Sequence, residues 1–222
     1  PVILTDESLY ANAESQLDGG DVLVTFSEPS APEAWALPEG AELLEVVFPQ
    51  MLDTDAVLLR CGGETILVDS CKKAYSERIV NMCKQLGITR IDRVYNTHPH
   101  EDHIGGFREV IKEIDVGELW ICFPEDYNNH MKLAVNAAKK AGIAIKTYAD
   151  GDTFTVGTLQ VTAFAARHPV PAVMYRIEGE GKTFCYTGDT NTVEGLAEFA
   201  DHADFLLADG LFTDAAWAEG KP

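Results

Sequence analysis

The stretch that decides the reading of this chain is Thr97-His98-Pro99-His100-Glu101-Asp102-His103-Ile104-Gly105-Gly106. Three of the chain's six histidines and an aspartate fall within six residues of it. They follow directly on Ile91-Asp92-Arg93-Val94-Tyr95, which reads as a buried strand. Ordinary surface histidines would not gather this way, whereas loops held by a rigid scaffold are where functional groups concentrate. Imidazole nitrogen and carboxylate oxygen are the donors that Zn²⁺ accepts. His98 and His100, two apart on an extended turn, can aim two rings at one point. Asp102 and His103, at the turn into a helix, can face a second point nearby. Gly105-Gly106 lets backbone pass close to the site.

Outward from this stretch, short β-rich runs alternate with amphipathic ones. Leu43 to Phe48, Ala56 to Arg60 and Thr65 to Val68 predict strands, the last two joined as an antiparallel hairpin at Gly62-Gly63. Ile79, Cys83 and Leu86 recur at helical spacing before Gly87, and Phe107, Val110, Ile111 and Ile114 mark a second helix. A third helix is predicted near Met131 to Ala141, with Gly142 as its stop. Strands are predicted near Glu118 to Phe123, Ile143 to Tyr148, Leu159 to Ala165, Val173 to Glu178, Thr183 to Thr187 and Phe205 to Ala208. A helix near Val193 to Ala200 precedes the last of these. Two blocks of strands interleaved with helices imply an α/β fold: two sheets face to face with helices outside, a four-layer αββα sandwich.

The ordered set of motifs resembles the metallo-β-lactamase fold superfamily. His98 to His103 is similar to its HxHxDH signature. Asp69 in Ile66-Leu67-Val68-Asp69-Ser70 resembles the family's early strand-end aspartate. His168 in Ala166-Arg167-His168-Pro169 resembles its later histidine, and Asp189 in Tyr186-Thr187-Gly188-Asp189-Thr190 its bridging aspartate. The resemblance covers about residues 42–212. It implies that His98, His100 and His168 hold one metal ion and that Asp102 and His103 hold a second. Asp189 would bridge both, and Asp69 would orient a ligand histidine from behind. It also implies two divalent ions, zinc first, with manganese or iron as alternatives, and a hydroxide between them that Asp102 and Asp189 position for attack. On this reading residues 1–40 are an acidic N-terminal extension, with Val22 to Phe26 as one added strand, and residues 41–222 are the metallo-β-lactamase-like domain.

Two departures from the family pattern stand out. Ser70-Cys71 follows the early aspartate where the family usually has glycine, so Cys71 is either a packed structural residue or a thiol near the metals. The family's last histidine lies well beyond the bridging aspartate, yet only His202 follows Asp189 here. His202 reads as an exposed connector residue, and His130 as a residue at the pocket entrance. The expectation is therefore a C-terminally truncated domain whose final ligand lies past Pro222. Residue 1 being Pro rather than Met suggests an excised piece or a processed product.

Composition narrows the substrate. The net charge is −19, and residues 1–59 carry no Lys or Arg and 12 Asp or Glu. That is a poor surface for nucleic-acid phosphates or anionic lipid, and reads as solubilising charge, as a shield against polyanions or as an adaptation to salt. No run of 18 apolar residues spans a membrane. Five cysteines without a CxxC pair exclude a thiolate zinc finger. His100 stands where the oxygen-reducing diiron relatives resemble a site with Glu. The segments around His98 and His168 resemble competence-protein-related and ribonuclease Z/phosphodiesterase-like branches, which implies a small phosphodiester as substrate. A carboxylic ester, lactone or thioester, or a metal-binding interaction module without turnover, stays open beside it. Compartment and oligomeric state stay open as well.

Overall fold

The computed structural model describes residues 54–61, 63–179, 181–191 and 194–208, with the backbone of three short strands at 2–5, 22–25 and 44–47. The stretch 26–43, Gly62, Val193 and everything after residue 208 lie outside the described residues. The chain runs β1 (Val2–Thr5), β2 (Val22–Thr25), β3 (Leu44–Val47), β4 (Val57–Cys61), β5 (Glu64–Val68), α1 (Ser76–Gln85) and β6 (Arg90–Asn96). It continues through α2 (Glu101–Ile104), α3 (Phe107–Glu113), β7 (Asp115–Ile121), α4 (Asn129–Ala141) and β8 (Ala144–Thr147). The remainder is β9 (Thr153–Val156), β10 (Leu159–Ala165), β11 (Val173–Gly179), β12 (Lys182–Tyr186), α5 (Leu196–Phe199) and β13 (Phe205–Leu207).

Strands β1 to β8 form one sheet in sequence order, and β13-β12-β11-β10-β9 form the other. Burial patterning sets the layers. In β5, Leu67 points into a core shared with Ile79 and Cys83 of α1, Phe107 and Val110 of α3, and Met131 and Val135 of α4. Its neighbours Ile66 and Val68 point the other way, into a core shared with Val161, Val173, Tyr175, Ile177 and Phe184 of the second sheet. A strand buried on both faces must be apolar at both parities, which is why Ile66-Leu67-Val68 is an unbroken apolar run. Each such side chain contributes roughly 1.5–3 kcal/mol by leaving water. On the outer face of the second sheet, Phe199 of α5 packs with Met174 and Cys185. The expected αββα order is therefore present.

The helix punctuation follows local chemistry. Asn128 caps α4 by accepting from the Met131 amide at 2.9 Å, and Gly142 ends that helix in a left-handed conformation at φ +75°, where a side chain would be strained. Differences from expectation are confined to short elements. Strands β1 and β9, four residues each, and the single turn α2 were not expected, because four residues carry too little periodicity to separate strand from loop.

Topology gathers strand ends. β5 and β6 run parallel, while β10 and β12 share a direction through their antiparallel pairing with β11. The C-terminal ends of these four strands lead into Asp69, His98 to His103, His168 and Asp189 respectively. Ligand sites in parallel α/β sheets lie beyond such carboxyl ends.

Candidate metal centre

The site begins with Asp69, which is fully buried and has φ +58°. Aspartate tolerates this left-handed conformation better than most residues, and it turns the carboxylate into the loop after β6. There Asp69 accepts four hydrogen bonds. Asn96 Nδ2 and the Thr97 amide each donate to Oδ1 at 2.8 Å. The Thr97 hydroxyl donates to Oδ2 at 2.5 Å, and His103 Nδ1 lies 2.7 Å from the same oxygen.

This network orients two imidazole rings at once. A carboxylate accepts from His103 Nδ1–H, so Nε2 is the nitrogen that faces away from Asp69. The Thr97 hydroxyl, its proton committed to Asp69, can only accept from His98 Nδ1 at 3.1 Å. His98 Nε2 is then a bare lone pair. It is buried and has no hydrogen-bond partner, a costly state unless something electrophilic meets it.

The other candidates converge on those two nitrogens. His98 Nε2 lies 3.8 Å from Asp189 Oδ2, and His103 Nε2 lies 3.6 Å from Asp189 Oδ1. His168 Nε2 is 3.2 Å from His100 Nδ1. Two groups result, His98–His100–His168 and His98–His103–Asp189, with donor atoms within 4.8 Å of one another in each. Asp102 stands beside the second group, with Oδ2 4.0 Å from His103 Nε2. His202 is exposed and pairs only with its neighbour Asp201 at 3.6 Å among the described residues. His130 is half-buried in the first turn of α4, and that helix is tied to the site loop by Asn128 Nδ2 donating to the Pro99 carbonyl at 2.6 Å.

Sequence reasoning missed Asp55. Its Oδ2 lies 4.0 Å from His103 Nε2, and the Tyr186 hydroxyl donates to the same oxygen at 3.4 Å. The register of the hairpin brings it there: β4 pairs antiparallel with β5 and Val57 stands opposite Val68, so the residue two before Val57 lies beside the segment after Val68.

The electrostatics are those of a place built for positive charge. Burial, reinforced by the neighbouring His103, pushes His98 down to about 2, so its ring stays neutral. Burial alone would also lower His103, but Asp69, Asp189 and Asp55 outweigh it and raise that group well above the usual histidine value. His103 in turn draws Asp189 down to about 2. Burial, with the like charges of Asp69 and Asp189, pushes Asp55 up to about 6 against the pull of His103. Cys71 is buried, and desolvation pushes its thiol up to about 12, so it is a packed neutral thiol rather than a nucleophile.

Gly106 explains the paired glycines. Its amide donates to the Cys71 carbonyl at 2.7 Å, and a Cβ there would fall 2.1 Å from the Ser70 carbonyl oxygen and 3.1 Å from Cys71 Sγ. Gly106→Ala is therefore expected to cost about 1–3 kcal/mol of stability through overpacking, read from the urea midpoint. An unchanged midpoint would mean the loop yields freely.

Residues 64–221 match the family described as the beta-lactamase superfamily domain. That is well over half of the chain, and the protein belongs to this family, with a metallo-β-lactamase fold. Ribonuclease Z of Methanopyrus kandleri is 26% identical over 124 residues, which are 55% of this chain and 43% of that protein. The chain spans less than half the length of the curated relatives it matches. The short form of human tRNase Z superposes with a TM-score of 0.58 at 20% identity, over 80% of this chain and 79% of its own. Zinc-bound PqqB from Methylobacterium extorquens does so with a TM-score of 0.56 at 18% identity, over 76% of this chain and 64% of its own. These two likenesses concern the fold. Among the described residues no helix is long and apolar enough to cross a membrane.

Proposed function

We propose that the protein is a metal-dependent hydrolase that holds two divalent ions and cleaves small phosphodiesters. The observation that carries this reading is the pair of donor groups meeting at His98, whose buried Nε2 has no hydrogen-bond partner. A nitrogen and oxygen donor set of this kind suits zinc first, with manganese and iron as alternatives. In this reading His98, His100 and His168 hold the first ion, Asp102 and His103 hold the second, and Asp189 serves both. When bound, the ions supply water activation near neutral pH and positive charge for the developing negative charge.

The chain's own residues do the positioning. Asp69 holds His103 directly and His98 through Thr97, so both rings keep Nε2 aimed inward. Asp102 and Asp189 line the same space with carboxylates that orient the attacking water. The similarity to ribonuclease Z supports a phosphodiester. The net charge of −19 argues against a long nucleic acid, whose binding depends on Lys and Arg contacts to phosphate, and for a small substrate.

The test is hydrolysis of bis-p-nitrophenyl phosphate against p-nitrophenyl esters, after chelation and after return of Zn²⁺ or Mn²⁺. Phosphodiester turnover that disappears with chelation and returns with metal is expected. Faster turnover of the carboxylic esters would move the assignment to ester, lactone or thioester hydrolysis. Metal uptake without turnover of any substrate would make the domain a binding module.

A further inference from the structure

Among the described residues His202 stands outside the site. We propose that Asp55 is a further donor: its carboxylate joins Asp102, His103 and Asp189 in holding the second divalent ion. This assignment rests on the two-ion reading above and concerns a residue outside the expected ligand set.

Backbone architecture holds residue 55 in place. Its carbonyl accepts from the Cys71 amide at 2.9 Å, and its amide donates to the Asp102 carbonyl at 3.3 Å. Thr54 repeats the pattern: its hydroxyl donates to the Asp102 carbonyl at 2.7 Å and accepts from the Lys72 amide at 2.8 Å. Thr54 and Asp55 thus stitch the loop that follows Asp69 to the loop that carries His103. The side chain then has little freedom to point elsewhere, and the Tyr186 hydroxyl steadies its Oδ2.

Distances and charge complete the case. Three carboxylates surround one imidazole nitrogen, with Asp189 at 3.6 Å and Asp55 and Asp102 each at 4.0 Å from His103 Nε2. Two donors bonded at about 2.0–2.2 Å to a tetrahedral zinc ion lie about 3.3–3.6 Å apart, so Asp189 already stands at that spacing from His103 and Asp55 and Asp102 come within it by a shift of a few tenths of an ångström. Three carboxylates gathered at one imidazole favour positive charge among them. The orphaned His98 Nε2, buried and 3.8 Å from the Asp189 carboxylate, independently faces the same space. A carboxylate is an accepted zinc donor, so the Asp55 side chain has the chemistry that the second ion calls for.

The experiment measures metal rather than turnover. Wild-type protein, Asp55→Asn and Asp55→His are loaded with Zn²⁺, dialysed and analysed for ions per chain. Competition with a chromophoric chelator supplies affinities, and Co²⁺ absorption reports coordination. Wild type is expected to hold two ions. Asp55→Asn is expected to keep the ion at His98, His100 and His168 and to lose at least about tenfold in affinity at the other position, the lower end of what even an outer partner of a metal ligand costs. Asp55→His supplies a nitrogen donor and is expected to restore the second ion, which a merely structural role would not allow. Two ions of unchanged affinity in Asp55→Asn overturn the assignment of Asp55 while leaving the two-ion reading intact. Fewer than two ions in wild type overturn the two-ion reading, and this assignment with it.

Discussion

Asp189→Ala is expected to lower phosphodiester turnover by a factor on the order of 10²–10³, the cost of removing one preorganised electrostatic group from a reaction centre. The two oxygens of this carboxylate face different rings, Oδ2 towards His98 and Oδ1 towards His103. Losing it therefore removes a donor from both sides of the site. Asp189 also follows β12 through Thr187, whose amide donates to the Leu207 carbonyl at 3.0 Å, so the second sheet presents it from a braced position. The matched controls are His202→Ala, at an exposed position paired with Asp201, and His130→Ala, in the first turn of α4. Both are expected to retain most of the turnover. The check is kcat on bis-p-nitrophenyl phosphate at saturating Zn²⁺. Equal losses in all three variants would remove Asp189 from its assigned place.

Asp69→Ala is expected to damage the fold itself. The carboxylate is fully buried, and its loss strands Asn96 Nδ2, the Thr97 amide and hydroxyl, and His103 Nδ1 without their acceptor. Leaving a buried, charged network without one partner costs roughly 3–5 kcal/mol. Alanine at φ +58° adds backbone strain of about 1–2 kcal/mol. For a chain of this length each kcal/mol moves Tm by roughly 2–4 °C, so thermal unfolding of the metal-free protein should fall by about 10 °C or more. The conservative Asp69→Asn keeps one acceptor oxygen but turns an amide towards His103 and Thr97. It is expected to unfold between the two and to bind Zn²⁺ about 10–100-fold more weakly than wild type. A metal-free Asp69→Ala protein as stable as wild type would mean that the four donors find other acceptors.

Much of this protein was legible before any coordinates. The αββα order followed from the alternation of apolar runs and helical spacings, because each element's exposure is written locally in its own period. The histidine stretch declared donor chemistry because His98, His100, Asp102 and His103 are close in sequence, and His168 and Asp189 could be added from family order. Asp55 was not legible as a site residue. It sits among the 12 acids of residues 1–59, where one more aspartate carries no distinguishing signal, and only the β4–β5 register brings it to the end of Asp69's strand. Thr97 was likewise silent, since a threonine next to a histidine says nothing until Asp69 is known to take its proton.

What the sequence determined by itself was the class of fold and the kinds of donor, since both depend on residue type and short-range spacing. What only the tertiary structure decided was which donors face one another. His98 stands in both groups, Asp102 lies beside the second rather than within it, and Asp55 faces His103. Those relations are set by strand direction, sheet register and the buried Asp69–Thr97 network. All three are long-range hydrogen-bond decisions that no local pattern of residues records.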